Sequence, residues 1–252
     1  MKTLYLALCL FLLSAICIAE EPEYLDWKGM KLLSEKNYTG ALAYFDKALA
    51  QDPTNADVWI HKGDTLRANK SFNESLVLYA KALQIDRKKL PVWTGMSSAY
   101  ASLGNFDYAY NAMSNATSID PKNIGNLNTA GYYLQRMGKF NESMIYFNKS
   151  LEIDPLNKDS MNKMGTSFIA LGKPSEAVTL FEKVISLDPQ NKAAYNLNGL
   201  ALESQGKFVE AMTNYNKALQ IDPNWDRPKI NLMHVLIDLK KHEEAMIYFM
   251  QI

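Results

Sequence analysis

The sequence predicts an all-α protein, a solenoid of stacked helix–turn–helix units rather than one closed domain around a cleft. Three observations carry that reading. Aspartate-proline recurs on one register of 34 residues, at Asp52-Pro53, Asp120-Pro121, Asp154-Pro155, Asp188-Pro189 and Asp222-Pro223, and the missing member of the series reads Asp86-Arg87. A period this strict is the mark of a repeat architecture. Other residue types fall into columns on the same period, and within each unit the apolar columns follow the four- and three-residue spacing of two successive helices.

With the proline placed at position 32, units begin at Pro22, Ala56, Leu90, Ile124, Lys158, Lys192 and Asp226. Position 4 is bulky (Leu25, Trp59, Trp93, Leu127, Met161, Tyr195), position 8 is small (Gly29, Gly63, Ser97, Gly131, Gly165, Gly199), and position 11 is bulky again (Leu32, Leu66, Tyr100, Leu134, Phe168, Leu202). These three columns share one face of a first helix, so the small column predicts close approach of a neighbour, at a helix-propensity cost of about 1 kcal/mol per glycine. Gly104, Gly138, Gly172 and Gly206 at position 15 mark a left-handed helix end. Phe72, Phe106, Phe140 and Phe208 at position 17 open a second helix. Its packing face runs small, large, small: Ala41, Ser75, Ala109, Ser143, Ala177 and Ala211 at position 20, Phe45, Tyr79, Met113, Phe147, Phe181 and Tyr215 at 24, Ala48, Ala82, Ala116, Ser150, Val184 and Ala218 at 27.

The proline stops the second helix by removing a donor and clashing with the preceding turn. Two residues on, Asn55, Asn123, Asn157 and Asn191 stand where the next helix needs an N-cap, each worth about 1 kcal/mol. Where Arg87 replaces the proline, Pro91 in the first turn of the next helix takes over the punctuation.

These columns resemble the tetratricopeptide repeat, whose consensus has a bulky residue at 4, Gly at 8, Ala at 20, an aromatic at 24, Ala at 27 and Pro at 32. The resemblance covers 20–252: complete repeats at 22–55, 56–89, 90–123, 124–157, 158–191 and 192–225, and a partial, degenerate one at 226–252, with Met233 at position 8 and Lys240 at position 15. It implies a right-handed superhelix whose concave wall is lined by the first helix of each repeat, chiefly positions 2, 5, 9, 12 and 13. The matching residues build the scaffold, so the resemblance specifies fold far more tightly than ligand.

Lys+Arg 27 balance Asp+Glu 27, which argues against a polyanion partner such as nucleic acid. Lys2 followed by the apolar run from Leu4 to Ile18, with small residues at Cys17 and Ala19 ahead of Glu20-Glu21-Pro22, reads as a signal peptide over 1–19 cleaved after Ala19. One alternative is an uncleaved membrane anchor, so that membrane association is expected only through an uncleaved N-terminus; a third option, a lipoprotein with lipid on Cys17, is opposed by the bulky Ile16 before it. In each case the chain is expected to be secreted or extracytoplasmic. Cys9 and Cys17 are the chain's only cysteines, so cleavage leaves a mature chain without thiols, stabilised by apolar packing along the stack.

Lining positions give the candidate binding residues. Position 5 carries Asn128, Asn162 and Asn196 in consecutive repeats, an amide ladder suited to the backbone of an extended peptide. Tyr132, one turn from Asn128, is the candidate anchor, with Gln135 beside it. Asp64 and Arg67, three apart on one helix, are expected to pair with each other. No repeat holds Lys at 5 with Asn at 9, the pair that chaperone-binding members of the family use to clamp a terminal carboxylate.

No cofactor, metal or catalytic constellation is expected. His61, His234 and His242 lack metal-site spacing, and there is no phosphate loop or nucleophile elbow. Among the N-x-[ST] sequons, Asn37 and Asn69 at turns are the best glycan acceptors, with Asn73 and Asn141 next. At the far end, Met246, Ile247, Phe249 and Met250 form an apolar face with no successor repeat, a candidate interface with a partner or a second copy. The expected function is therefore that of an exported, non-enzymatic scaffold binding a protein or peptide segment in its groove. The alternative is a self-assembling envelope component.

Overall fold

The computed structural model describes residues 21–250. The expected signal peptide or anchor at 1–19, with its cleavage point after Ala19, and the last two residues lie outside the described residues. Within them the chain is all helix, with no strand, and falls into two units that divide between Asn105 and Phe106. The first unit holds α1 (Pro22–Ser34), α2 (Tyr38–Gln51), α3 (Ala56–Ala68), α4 (Phe72–Ile85) and α5 (Leu90–Ser102). The second holds α6 (Phe106–Ile119), α7 (Ile124–Arg136), α8 (Phe140–Ile153), α9 (Lys158–Ala170), α10 (Pro174–Leu187), α11 (Lys192–Glu203), α12 (Phe208–Ile221), α13 (Asp226–Asp238) and α14 (His242–Phe249). Within each unit, successive helices pack on one another, and first helices also touch the first helix of the next repeat. Among the described residues no helix is long and apolar enough to cross a membrane.

The expected caps form. Asn55, Asn123, Asn157 and Asn191 each accept a backbone N–H from the first turn of the helix that follows, and Asn37 does the same for α2. The aspartate column has a role that the prolines had hidden. Asp52, Asp86, Asp120, Asp154, Asp188 and Asp222 each accept the backbone N–H two residues on, at 2.8–3.3 Å. This Asx turn shapes the link between repeats, and it explains why aspartate persists at 86 where the proline is lost. The turn inside each repeat requires a left-handed residue whatever the sequence supplies. The glycines at position 15 have φ between 71° and 78°, but Lys36, Lys70 and Lys240 take the same conformation at 60–64°.

The core is built on the contact between positions 8 and 24. A Cβ on Gly131 would lie 2.5 Å from Phe147, and one on Gly199 would lie 2.4 Å from Tyr215. Each glycine is thus the floor under an aromatic ring, and the rings of Phe45, Tyr79, Phe147, Phe181 and Tyr215 are fully buried. In the third repeat the residues at these two positions, Ser97 and Met113, are each buried.

Candidate functional site

Position 5 does not present free amides throughout. In the second unit Asn128 and Asn196 are buried. The Asn128 amide donates to Asp159 Oδ2 at 3.1 Å, and its carbonyl oxygen accepts from Ser160 Oγ at 2.8 Å. Ser160 Oγ is in turn 2.6 Å from Ser150 Oγ. Asn196 Oδ1 accepts from the Asn231 amide at 2.9 Å. Both asparagines therefore tie their own repeat to the first helix of the next. Asn162 is partly exposed, and its Oδ1 is buried without a partner, because the residue corresponding to Ser160 is Ala194. Gln135 is also committed: its amide donates to Lys163 O at 2.7 Å and Ser167 Oγ at 2.8 Å, and Ser167 continues to the buried Ser143. Packing against the neighbouring first helix thus turns Asn128, Asn196 and Gln135 into contacts between repeats.

Tyr132 stays available. It is 37% exposed and, with Gly125, Asn128, Thr129, Asp159 and Lys163, lines an open pocket of about 350 Å³ on the first-helix face of α7 and α9. Two cations border its ring: the Arg136 guanidinium carbon lies 5.9 Å and Lys163 Nζ 6.0 Å from the centroid. Arg136 donates to the Tyr132 hydroxyl at 3.0 Å and stacks 4.2 Å from the ring of Phe106. Lys163 pairs with Asp159 at 2.7 Å.

In the first unit Asp64 and Arg67 pair as expected, at 3.0 Å, but through a third member. The hydroxyl of the buried Tyr79 donates to Asp64 Oδ1 at 2.7 Å and accepts from Arg67 Nε at 3.1 Å. Burial, followed by the adjacent Asp64 carboxylate, pushes the Tyr79 phenol well above its ordinary range. Tyr215 repeats the device, donating to Glu203 Oε2 at 2.5 Å. The signal was present in the sequence. Of the seven repeats only these two carry an acid at position 9 or 12, and these two carry tyrosine at position 24. Asp64 and Arg67 thus satisfy a core hydroxyl.

His61, which lacks metal-site spacing, has a role that spacing does not reveal. Its Nδ1 lies 2.8 Å from Asp26 Oδ1, joining α3 to α1. Burial opposes the charged imidazole, but the Asp26 hydrogen bond and the charges of Asp26, Asp64 and Asp57 outweigh it and raise the pKa above 6.5.

Asn37 and Asn69 are exposed at helix boundaries, and Asn73 and Asn141 are exposed in the first turns of α4 and α8. The serines of the last two sequons, Ser75 and Ser143, are fully buried, each donating at 2.7 Å to the carbonyl three residues back. Met246, Ile247, Phe249 and Met250 are exposed, and Met246 and Phe249 join Met233, Ile237, His242 and Ala245 around an apolar pocket of about 270 Å³. Among the described residues no cluster of three or more His, Cys, Asp or Glu could hold a metal ion.

Sequence models described as tetratricopeptide repeat match residues 32–76, 90–123 with 125–155, and 162–224, which together span more than half of the chain. The chain belongs to the tetratricopeptide repeat family. A search of curated proteins finds no match. Among solved structures, it is similar to a tetratricopeptide repeat protein from Parabacteroides merdae, at 18% identity over 91% of each chain with a TM-score of 0.78. It is similar to YrrB, described as a TPR protein with an unusual peptide-binding site, at 20% identity over 73% of this chain and 95% of that one, TM-score 0.61. It is also similar to MamA, at 21% identity over 67% of this chain and 92% of that one, TM-score 0.60. At these identities the likeness is one of fold.

Proposed function

We propose that this chain is a non-enzymatic scaffold that binds a protein or extended peptide segment on its first-helix face, and that the pocket around Tyr132 is the principal contact. The observation that carries this reading is a partly exposed aromatic at the edge of an open polar pocket, held in place by Arg136, where Asn128 and Gln135 are already used. An exposed tyrosine on a rigid helix supplies contact area at little entropic cost. Family membership supports a protein-interaction role, and the peptide-binding site named for YrrB supports a peptide as ligand. The apolar segment at 4–18 supports export, with the scaffold acting outside the cytoplasm and the exposed sequon asparagines open to glycosylation there. Pull-down from the native envelope with wild type and Tyr132→Ala tests the reading. The variant is expected to lose its partners while keeping its helical circular dichroism, and unchanged partners would reject the pocket.

A second reading, assembly of copies, is favoured by one observation. Phe249 is 64% exposed beside an apolar pocket, whereas its counterparts in complete repeats are buried. Sedimentation velocity over a hundredfold concentration range decides it: Phe249→Ser abolishes any self-association if this face is the contact.

A further inference from the structure

Among the described residues Arg136 makes no ion pair, although nine such pairs form elsewhere. Its guanidinium is nevertheless fixed, stacked 4.2 Å from the Phe106 ring and donating to the Tyr132 hydroxyl at 3.0 Å. The entropy of ordering a long side chain has thus been spent without an anion to show for it. Arg136 ends α7, and a cation there complements the helix dipole, but a charge near a dipole needs no stacking and no tyrosine. The carboxylate in the pocket, Asp159, is already engaged by Lys163 and by the Asn128 amide. Two cations therefore border one ring against one carboxylate, leaving a net positive site at the edge of a pocket of about 350 Å³.

We propose that this site takes a carboxylate of the bound peptide, with the guanidinium of Arg136 as its main donor, Lys163 as a second cation, and the Tyr132 ring as the surface on which the neighbouring part of the peptide rests. Guanidinium presents paired N–H donors that match a carboxylate in geometry as well as charge, and here it is held against Phe106 and the Tyr132 hydroxyl. Lys163 can turn its remaining N–H donors to the ligand while keeping Asp159. The carboxylate can come from an Asp or Glu side chain or from a peptide C-terminus, since the chemistry is shared. This inference rests on the reading of the Tyr132 pocket as the binding face.

The test is affinity selection from random decapeptides, prepared with free and with amidated C-termini, on the full chain and on Arg136→Gln, Arg136→Lys and Tyr132→Ala. Acidic residues enriched in both libraries support a side-chain carboxylate, and selection confined to free C-termini supports a terminal one. In either case the preference disappears in Arg136→Gln and is partly kept in Arg136→Lys. A selected peptide is expected to bind Arg136→Gln roughly tenfold or more weakly, as loss of a charge-assisted hydrogen bond implies. Peptides selected without acid or terminal preference, or with a preference that survives Arg136→Gln, overturn the carboxylate inference and leave the pocket standing. Selection that yields nothing, or yields the same peptides on Tyr132→Ala, overturns both.

Discussion

Gly131 and Phe147 share a space that admits only one of them a side chain. A Cβ on Gly131 would lie 2.5 Å from the Phe147 ring, which is fully buried. The same pairing recurs in Gly165 with Phe181 and Gly199 with Tyr215. The last repeat breaks it, since Met233 stands at the glycine position and Phe249 stays largely exposed. Gly131→Ala should therefore destabilise the protein by about 1–3 kcal/mol through overpacking, even though alanine favours the helix by about 1 kcal/mol. Urea denaturation of Gly131→Ala beside Gly131→Ala/Phe147→Leu measures it. Recovery of part of the loss in the double variant is expected, and an unchanged midpoint in the single one would mean that the ring moves freely.

Lys70 holds φ at 64° in a turn where the third to sixth repeats use glycine. A left-handed conformation costs a residue with a Cβ about 1–2 kcal/mol, and glycine's looser unfolded state gives part of that back. Lys70→Gly is accordingly expected to stabilise the protein by roughly 0.5–1 kcal/mol. Thermal unfolding should show a rise of a few degrees at most, whereas the same change at the exposed helical Lys81 should lower the midpoint.

The His61–Asp26 bond makes the docking of α1 depend on pH. The folded pKa of His61 is raised, so its contribution is fully present below the unfolded value of 6.5 and is lost as pH rises through the folded value. Hydrogen exchange corrected for intrinsic rates should show α1 opening more readily at about pH 8 than at about pH 6. Asp26→Asn should remove most of that difference. A difference that persists in Asp26→Asn would assign the effect to another group.

Ser160 links Asn128 to Ser150 across a repeat junction, at 2.8 Å and 2.6 Å. Removing its hydroxyl leaves buried polar atoms without partners, so Ser160→Ala is expected to cost about 1–3 kcal/mol. The double variant Ser160→Ala/Ser150→Ala should cost less than the sum of the two single changes. Strict additivity in chemical denaturation would show that the two hydroxyls do not interact.

The sequence alone determined the architecture. The 34-residue period, the asparagine caps and the small–aromatic columns are local or periodic signals, and the helices begin and end where those signals place them. It also showed tyrosine at position 24 only where an acid stands at 9 or 12, although that pairing gains meaning only once Tyr79 is seen to reach Asp64. Tertiary structure decided what the lining residues do. Asn128, Asn162 and Asn196 occupy one column, yet the first is satisfied by Ser160, the second is orphaned by Ala194 and the third is met by Asn231 from another position. Whether a polar side chain faces a ligand or a neighbouring helix depends on residues more than thirty positions away. The period fixes which helices meet, and the individual side chains at each junction decide which of their polar groups remain free.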